Sequence, residues 1–192
     1  MKKIAITIPV LVNVFVLIVA IWLVSGGGIK LLIENFVRPA HERWVSQFGE
    51  LDIKLGNVVF LGDSITARGA WQEIFPNAVV RNRGIGGDDA RGVLARIDQV
   101  SSGRPAQVFL LIGANDLGIG VAEADIVANI RKILDEIHSL SPQTQIYVQS
   151  IMPRSIEFRA RIESLNQAIH QRLKGRQFGS ISIRYFLHQM VQ

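Results

Sequence analysis

Apolar and polar positions divide the chain into three regimes. Ile4–Val24 carries no charge and follows Lys2 and Lys3. As a helix rising about 1.5 Å per residue this run would be about 31 Å long, enough for a hydrocarbon core of about 30 Å. Ile29–Leu51 mixes apolar and charged positions, is broken at Pro39, and predicts a helical connector. Beyond it, short apolar runs alternate with stretches of helical period. Asn57–Leu61, Ala78–Arg81, Gln107–Ile112, Gln145–Ile151 and Ser180–Phe186 read as strands. Asp89–Val100, Ala122–Leu140 and Ile156–Leu173 read as helices, the second with Ile126, Ile130, Ile133, Leu134 and Ile137 on one stripe. Nearly continuous apolar strands between amphipathic helices predict a parallel sheet of about five strands, covered on both faces in an α/β/α sandwich. The organisation expected is an N-terminal membrane segment (1–28), a connector (29–52) and one α/β domain (53–192).

Composition narrows the class. Of 192 residues 48% are hydrophobic and 19% charged, so the chain can bury a core and is not disordered as a whole. With no cysteine, a disulfide scaffold, a Cys-ligated zinc site and lipid attachment through an N-terminal cysteine are excluded. The net charge of +5 raises the question of nucleic acid, but the basic residues are scattered among acids and form no stripe with aromatics. No nucleic-acid partner is expected. The uncharged run predicts a membrane anchor, with the two lysines on the cytoplasmic side and the domain outside. A cleaved signal peptide, and hence a secreted domain, is the alternative, since Ser25, Gly26 and Gly27 are small enough for a cleavage site.

In a parallel α/β sheet, ligands bind at the carboxyl ends of the strands. Three motifs fall there. The first strand leads into Gly62-Asp63-Ser64-Ile65-Thr66, the second into Asn82-Arg83-Gly84-Ile85-Gly86-Gly87-Asp88, and the third into Gly113-Ala114-Asn115-Asp116. A serine in a tight strand-to-helix turn can present its hydroxyl as a nucleophile. Glycine N–H groups and an asparagine amide can hold a developing oxyanion. Each motif alone has a plainer reading: a polar turn for Gly-Asp-Ser, a helix cap for Asn115-Asp116. Gly84-Ile85-Gly86-Gly87 also suggests a dinucleotide loop, but Asp89 stands where that fingerprint needs glycine.

Taken together and in this order, the three blocks resemble the SGNH hydrolases, the GDSL esterase/lipase family. The branch is that of platelet-activating-factor acetylhydrolase catalytic subunits and lysophospholipase-like esterases. The resemblance runs from about Asn57 to about Pro153. It implies a flavodoxin-like three-layer fold, Ser64 as nucleophile, and an oxyanion hole from the N–H groups of Ser64 and Gly87 and the side chain of Asn115. It implies hydrolysis of esters or thioesters through an acyl-enzyme, with no metal or organic cofactor. The substrate is then a small acyl ester of a lipid, a sugar or peptidoglycan.

The family's general base is a histidine in a C-terminal Asp-x-x-His block, and here no Asp follows Asp135. The ending reads as shortened relative to the family. Asp135-Glu136-Ile137-His138 has the spacing but lies about 24 Å along its helix from the rim, whereas a base must come within about 3 Å of the hydroxyl. His170 sits late in the next helix and His41 in the connector. His188 alone follows a strand into the carboxyl edge, but Tyr185 stands where Asp belongs. Two further readings stay open: a catalytically impaired SGNH-like binding module at the membrane, and a nucleotide-binding domain using Gly84–Gly87. Trp71 and Phe75 are candidates for an acyl pocket or for core.

Overall fold

The computed structural model describes residues 2–24, 28, 31, 33–152 and 156–173. The chain divides into two compact units, residues 1–43 and 44–192. In the first unit, helix α1 spans Lys2–Val24 and a π-helical turn spans Ile33–Val37. The apolar side chains described in α1, among them Phe15, Leu17, Ile18 and Trp22, are exposed. Among the described residues, no helix is long and apolar enough to cross a membrane. The expected transmembrane span is therefore not found there. Helix α2, Arg38–Glu50, carries the chain into the second unit. Pro39 does not break the connector but sits in the first turn of α2, where a missing N–H costs no helical bond.

The second unit is a parallel sheet of four strands in the order β2-β1-β3-β4 among the described residues. The strands are β1 Val58–Gly62, β2 Val80–Gly84, β3 Gln107–Leu111 and β4 Gln145–Val148. Gly62 is in register with Gly84 on one side and Leu111 on the other. The fifth strand expected at Ser180–Phe186 lies outside the described residues, as does His188.

Alternation along the strands separates two faces. Val59, Leu61, Val108, Leu110, Ile146 and Val148 join one buried cluster with the apolar stripes of the helices. Those helices are α5 Ala90–Ala95, α6 Asp98–Ser101, α8 Glu123–Leu140 and α9 Ile156–Leu173. The predicted stripe of α8 is almost completely buried: Ile126, Ile133, Leu134 and Ile137 at 0% and Ile130 at 1% exposure. Each such side chain contributes roughly 1.5–3 kcal/mol, as an upper bound. The opposite face carries an aromatic row. Phe60 stacks on Phe109 at 4.9 Å, and Phe109 on Tyr147 at 4.7 Å between ring centroids. Among the described residues, three short helices complete the unit: α3 Ser64–Ala67, α4 Trp71–Ile74 and α7 Ala114–Gly118.

Several expected boundaries move, and β4 stops at Val148 rather than Ile151. β2 begins later and runs through Asn82-Arg83-Gly84, so half of the second motif is strand rather than loop. Asn82 explains the shift: its polar side chain serves the neighbouring helix end while its backbone stays in the ladder. The helix expected at Asp89–Val100 is two, because Arg96 turns aside as the cap of α5 and α6 restarts at Asp98.

Glycines set how closely α3 approaches the sheet. A Cβ on Gly84 would collide with the backbone nitrogen of Ala67, and one on Gly62 with the carbonyl of Leu111. Gly84→Ala meets backbone that cannot rotate away, so it should cost about 1–3 kcal/mol. An unchanged urea midpoint for this variant would show the close approach to be immaterial.

Candidate active site

The strand order places a topological switch between β1 and β3: the chain leaves β1 for β2 on one side and returns to β3 on the other. The crevice beyond the carboxyl ends of such a pair is the usual ligand site of open α/β sheets. Ser64 follows β1, Gly87 follows β2 and Asn115 follows β3, all at this end.

Each residue is held by local chemistry. Asp63 caps α3, its Oδ1 accepting from the Ile65 N–H at 2.9 Å, which fixes Ser64 as the first helical residue. The Ser64 side chain is half-buried, and its hydroxyl has no hydrogen-bond partner among the described residues. Gly87 is exposed and has φ +83°, as the third position of a turn closed by the Asp88 N–H on the Ile85 carbonyl at 3.2 Å. A side chain there would be strained. Asn115 lies in α7, entered through Gly113 at φ +118°.

One bond joins the second and third motifs. The Asn115 carboxamide donates through Nδ2 to the Asp88 carbonyl at 2.7 Å. Gly87 immediately precedes that carbonyl's residue, so the asparagine side chain and the glycine turn are coupled. A second link runs from Ile85, whose N–H donates to the Gly62 carbonyl at 3.0 Å, to the end of β1. The structure thus joins Asn115 to the Gly87 turn and ties that turn to the strand that leads to Ser64.

Several residues of this frame were not singled out by sequence reasoning. Asn82 donates to the Thr66, Ala67 and Gly69 carbonyls at 3.0, 3.1 and 3.4 Å, closing the carboxyl end of the serine helix, and accepts from the Gly84 N–H at 2.9 Å. Asp116 is fully buried and takes the Ala90 N–H on both oxygens at 3.2 and 3.1 Å. Asp89 caps the same helix by accepting from Gly92 N–H at 2.7 Å. Arg96 and Asp88 form a buried ion pair at 2.7 Å. The available signal was position: polar residues flanking the motif glycines at strand ends. Arg96 gave none, since it sits mid-pattern in an apparent helix.

Burial shapes the electrostatics. It lowers the Arg96 guanidinium below its ordinary value, opposed by the Asp88 carboxylate. It lowers Arg83 to about 10, helped by the positive charges of Arg81 and Arg96. Arg83 lies over the Phe48 ring at 4.7 Å and donates to the Leu51 carbonyl at 2.6 Å.

The other sequence candidates lie elsewhere. Thr144 Oγ1 donates to the Pro105 carbonyl at 2.7 Å and Gln145 N–H to Ala106 at 3.0 Å, so α8 ends where β3 begins. His138, in the last turn of α8, is therefore at the amino edge, and Asp135 pairs with Arg131 at 3.5 Å. His170 is exposed near the end of α9, and His41 belongs to the first unit. Trp71 stacks on Phe60 at 4.1 Å and Phe75 lies 5.8 Å from the same ring, which places both on the aromatic face of the sheet.

Known proteins resemble this chain in sequence and fold. The GDSL-like lipase/acylhydrolase family model matches residues 60–184, well over half of the chain. The chain belongs to this family. Human platelet-activating factor acetylhydrolase IB subunit alpha2 is 29% identical over 143 residues, covering 69% of this chain and 61% of that protein. The rat alpha1 subunit is 27% identical over 144 residues, covering 70% of this chain and 60% of its own length. The GDSL-like chain thus spans about three-fifths of these curated relatives. A solved Streptococcus pneumonia protein assigned as a platelet activating factor superposes with a TM-score of 0.72 at 25% identity, over 82% of this chain and 79% of that one. An acetyl esterase solved with acetate, at 21% identity and a TM-score of 0.54, covers 67% of this chain and 78% of its own and shares the fold.

Burial raises the Asp116 carboxyl above its ordinary value of 3.8, and the Ala90 N–H only partly offsets this. The folded state therefore binds the Asp116 proton more tightly than the unfolded chain. The contribution to stability is complete below 3.8 and is lost as pH rises through the folded pKa. A carbon-detected titration of the Asp116 carboxyl should give a midpoint above 3.8; a midpoint at or below it would contradict the burial effect.

Proposed function

We propose that the chain is a serine esterase of the GDSL type, cleaving small carboxylic esters or thioesters through an acyl-enzyme. The supporting observation is the Asn115–Asp88 bond at the switch point, which couples the carboxamide to the Gly87 turn beside the strand that leads to Ser64. Ser64 Oγ attacks the acyl carbonyl carbon, and its proton passes to a general base. The carbonyl π pair moves to oxygen, where the N–H groups of Ser64 and Gly87 and the amide of Asn115 receive it. Collapse expels the alcohol or thiol, which takes the proton. Water then repeats the sequence on the acyl-enzyme and frees the acid. Asn115 can serve both ends, because a carboxamide carries two N–H donors and the Asp88 carbonyl takes one.

His188 is the candidate for the base by its place after the expected fifth strand. The relatives named as platelet-activating factor acetylhydrolase subunits favour a short acyl group, and lipid, sugar and peptidoglycan esters share that chemistry. The uncharged run Ile4–Val24, whose described side chains are exposed, supports anchoring in a membrane with the domain outside the cytoplasm. With such an anchor, full-length protein should float with liposomes and resist carbonate extraction; release by carbonate would count against it.

A fluorophosphonate probe should label Ser64 in the wild type and leave Ser64→Ala unlabelled. Asn115→Ala should lower kcat on p-nitrophenyl acetate by about 100- to 1,000-fold. An unlabelled wild type with turnover equal to Ser64→Ala would reject the esterase and leave the binding-module reading.

A further inference from the structure

We propose that Arg96 is a positioning residue of the oxyanion hole: its guanidinium locks the Gly87–Asp88 turn and the end of β1 into one rigid frame, so that the Gly87 N–H and the Asn115 amide keep their spacing to Ser64. This rests on the reading of Ser64 as the nucleophile.

The geometry is specific to a planar fork. Nε and Nη2 both donate to Asp88 Oδ2, at 2.9 and 2.7 Å. Nη2 also donates to the Arg83 carbonyl at 2.9 Å and reaches the Gly62 carbonyl at 3.5 Å. Those partners are the residue after the oxyanion glycine, the end of β2, and the residue two before the nucleophile. Asp88 is engaged at every polar group: its N–H closes the glycine turn, its carbonyl receives Asn115, and its carboxylate receives Arg96. A movement of Asp88 would displace both proposed oxyanion donors together.

Stability alone does not account for this pair. Arg96 is 2% exposed, and its Nη1 has no partner among the described residues. A buried ion pair often contributes no more than a well-packed apolar replacement, and an unpaired buried N–H is a further cost. What apolar packing cannot supply is simultaneous direction to a carboxylate and two backbone carbonyls.

Arg96→Lys keeps the charge and removes the fork. The variant should fold, hold KM for p-nitrophenyl acetate within about threefold, and lose about 10- to 100-fold in kcat, the scale of a small misplacement of catalytic donors. In an Asn115→Ala background the same change should cost less in kcat than it does in the wild type, because one of the two donors it positions is gone. Hydrogen exchange of the Asn115 side-chain amide reads the frame without any turnover: the proton on the Asp88 carbonyl should exchange at least about tenfold faster in Arg96→Lys. If that variant does not fold, the neutral pair Asp88→Asn with Arg96→Gln takes its place with the same readouts. Unchanged exchange, a loss confined to KM, or full additivity with Asn115→Ala would overturn the proposal. A wild type that shows no turnover sinks the esterase reading, and amide exchange then decides the role of Arg96 alone.

Discussion

The hydrogen bond from the Asn115 amide to the Asp88 carbonyl, 2.7 Å long, is the constraint on which the carboxyl edge depends. It crosses from helix α7 after β3 to the loop after β2, and so spans the crevice beyond β1. Neither the five-residue helix α7 nor that loop is long enough to hold its own shape. Their order comes from polar groups that each satisfy a backbone partner: Asn115 on Asp88, Asp116 on Ala90, Asp89 on Gly92 and Arg96 on Arg83. The rim is therefore rigid for a reason separate from the apolar core, and substitutions there act on geometry more than on burial.

Glycine does complementary work at the same edge. Gly62 and Gly84 stand in register on neighbouring strands and leave room for the serine helix to lie against the sheet. Asn82 then fastens the far end of that helix through three carbonyls. A four-residue helix has no stability of its own. It persists because Asp63 caps its start, Asn82 closes its finish and missing side chains beneath it allow contact.

Much of this was legible in the sequence. The stripe of α8, the strand at Gln107–Leu111 and the three motifs all appeared where pattern put them, because apolar period and turn chemistry are local properties. The end of β2 was misplaced, since Asn82 and Arg83 are polar yet lie in the ladder, each held by a tertiary partner. Asp89–Val100 read as one helix because its apolar spacing survives the break at Arg96. That break follows from Arg96 turning inward to Asp88, a contact no local pattern encodes. The roles of Ser64, Gly87 and Asn115 came from resemblance; their shared edge followed from topology; the Asn115–Asp88 bond needed coordinates.

Trp71 occupies an unusual place in this frame. Its ring lies flat on Phe60, nearly parallel at 7°, and its indole N–H donates to the Thr66 carbonyl at 2.7 Å, inside the serine helix. The fluorophore is thus wired to the turn that presents the nucleophile. Any rearrangement of that turn must alter either the stacking or the indole hydrogen bond, and both govern emission. With only three tryptophans in the chain, the protein carries its own optical reporter of events at Ser64.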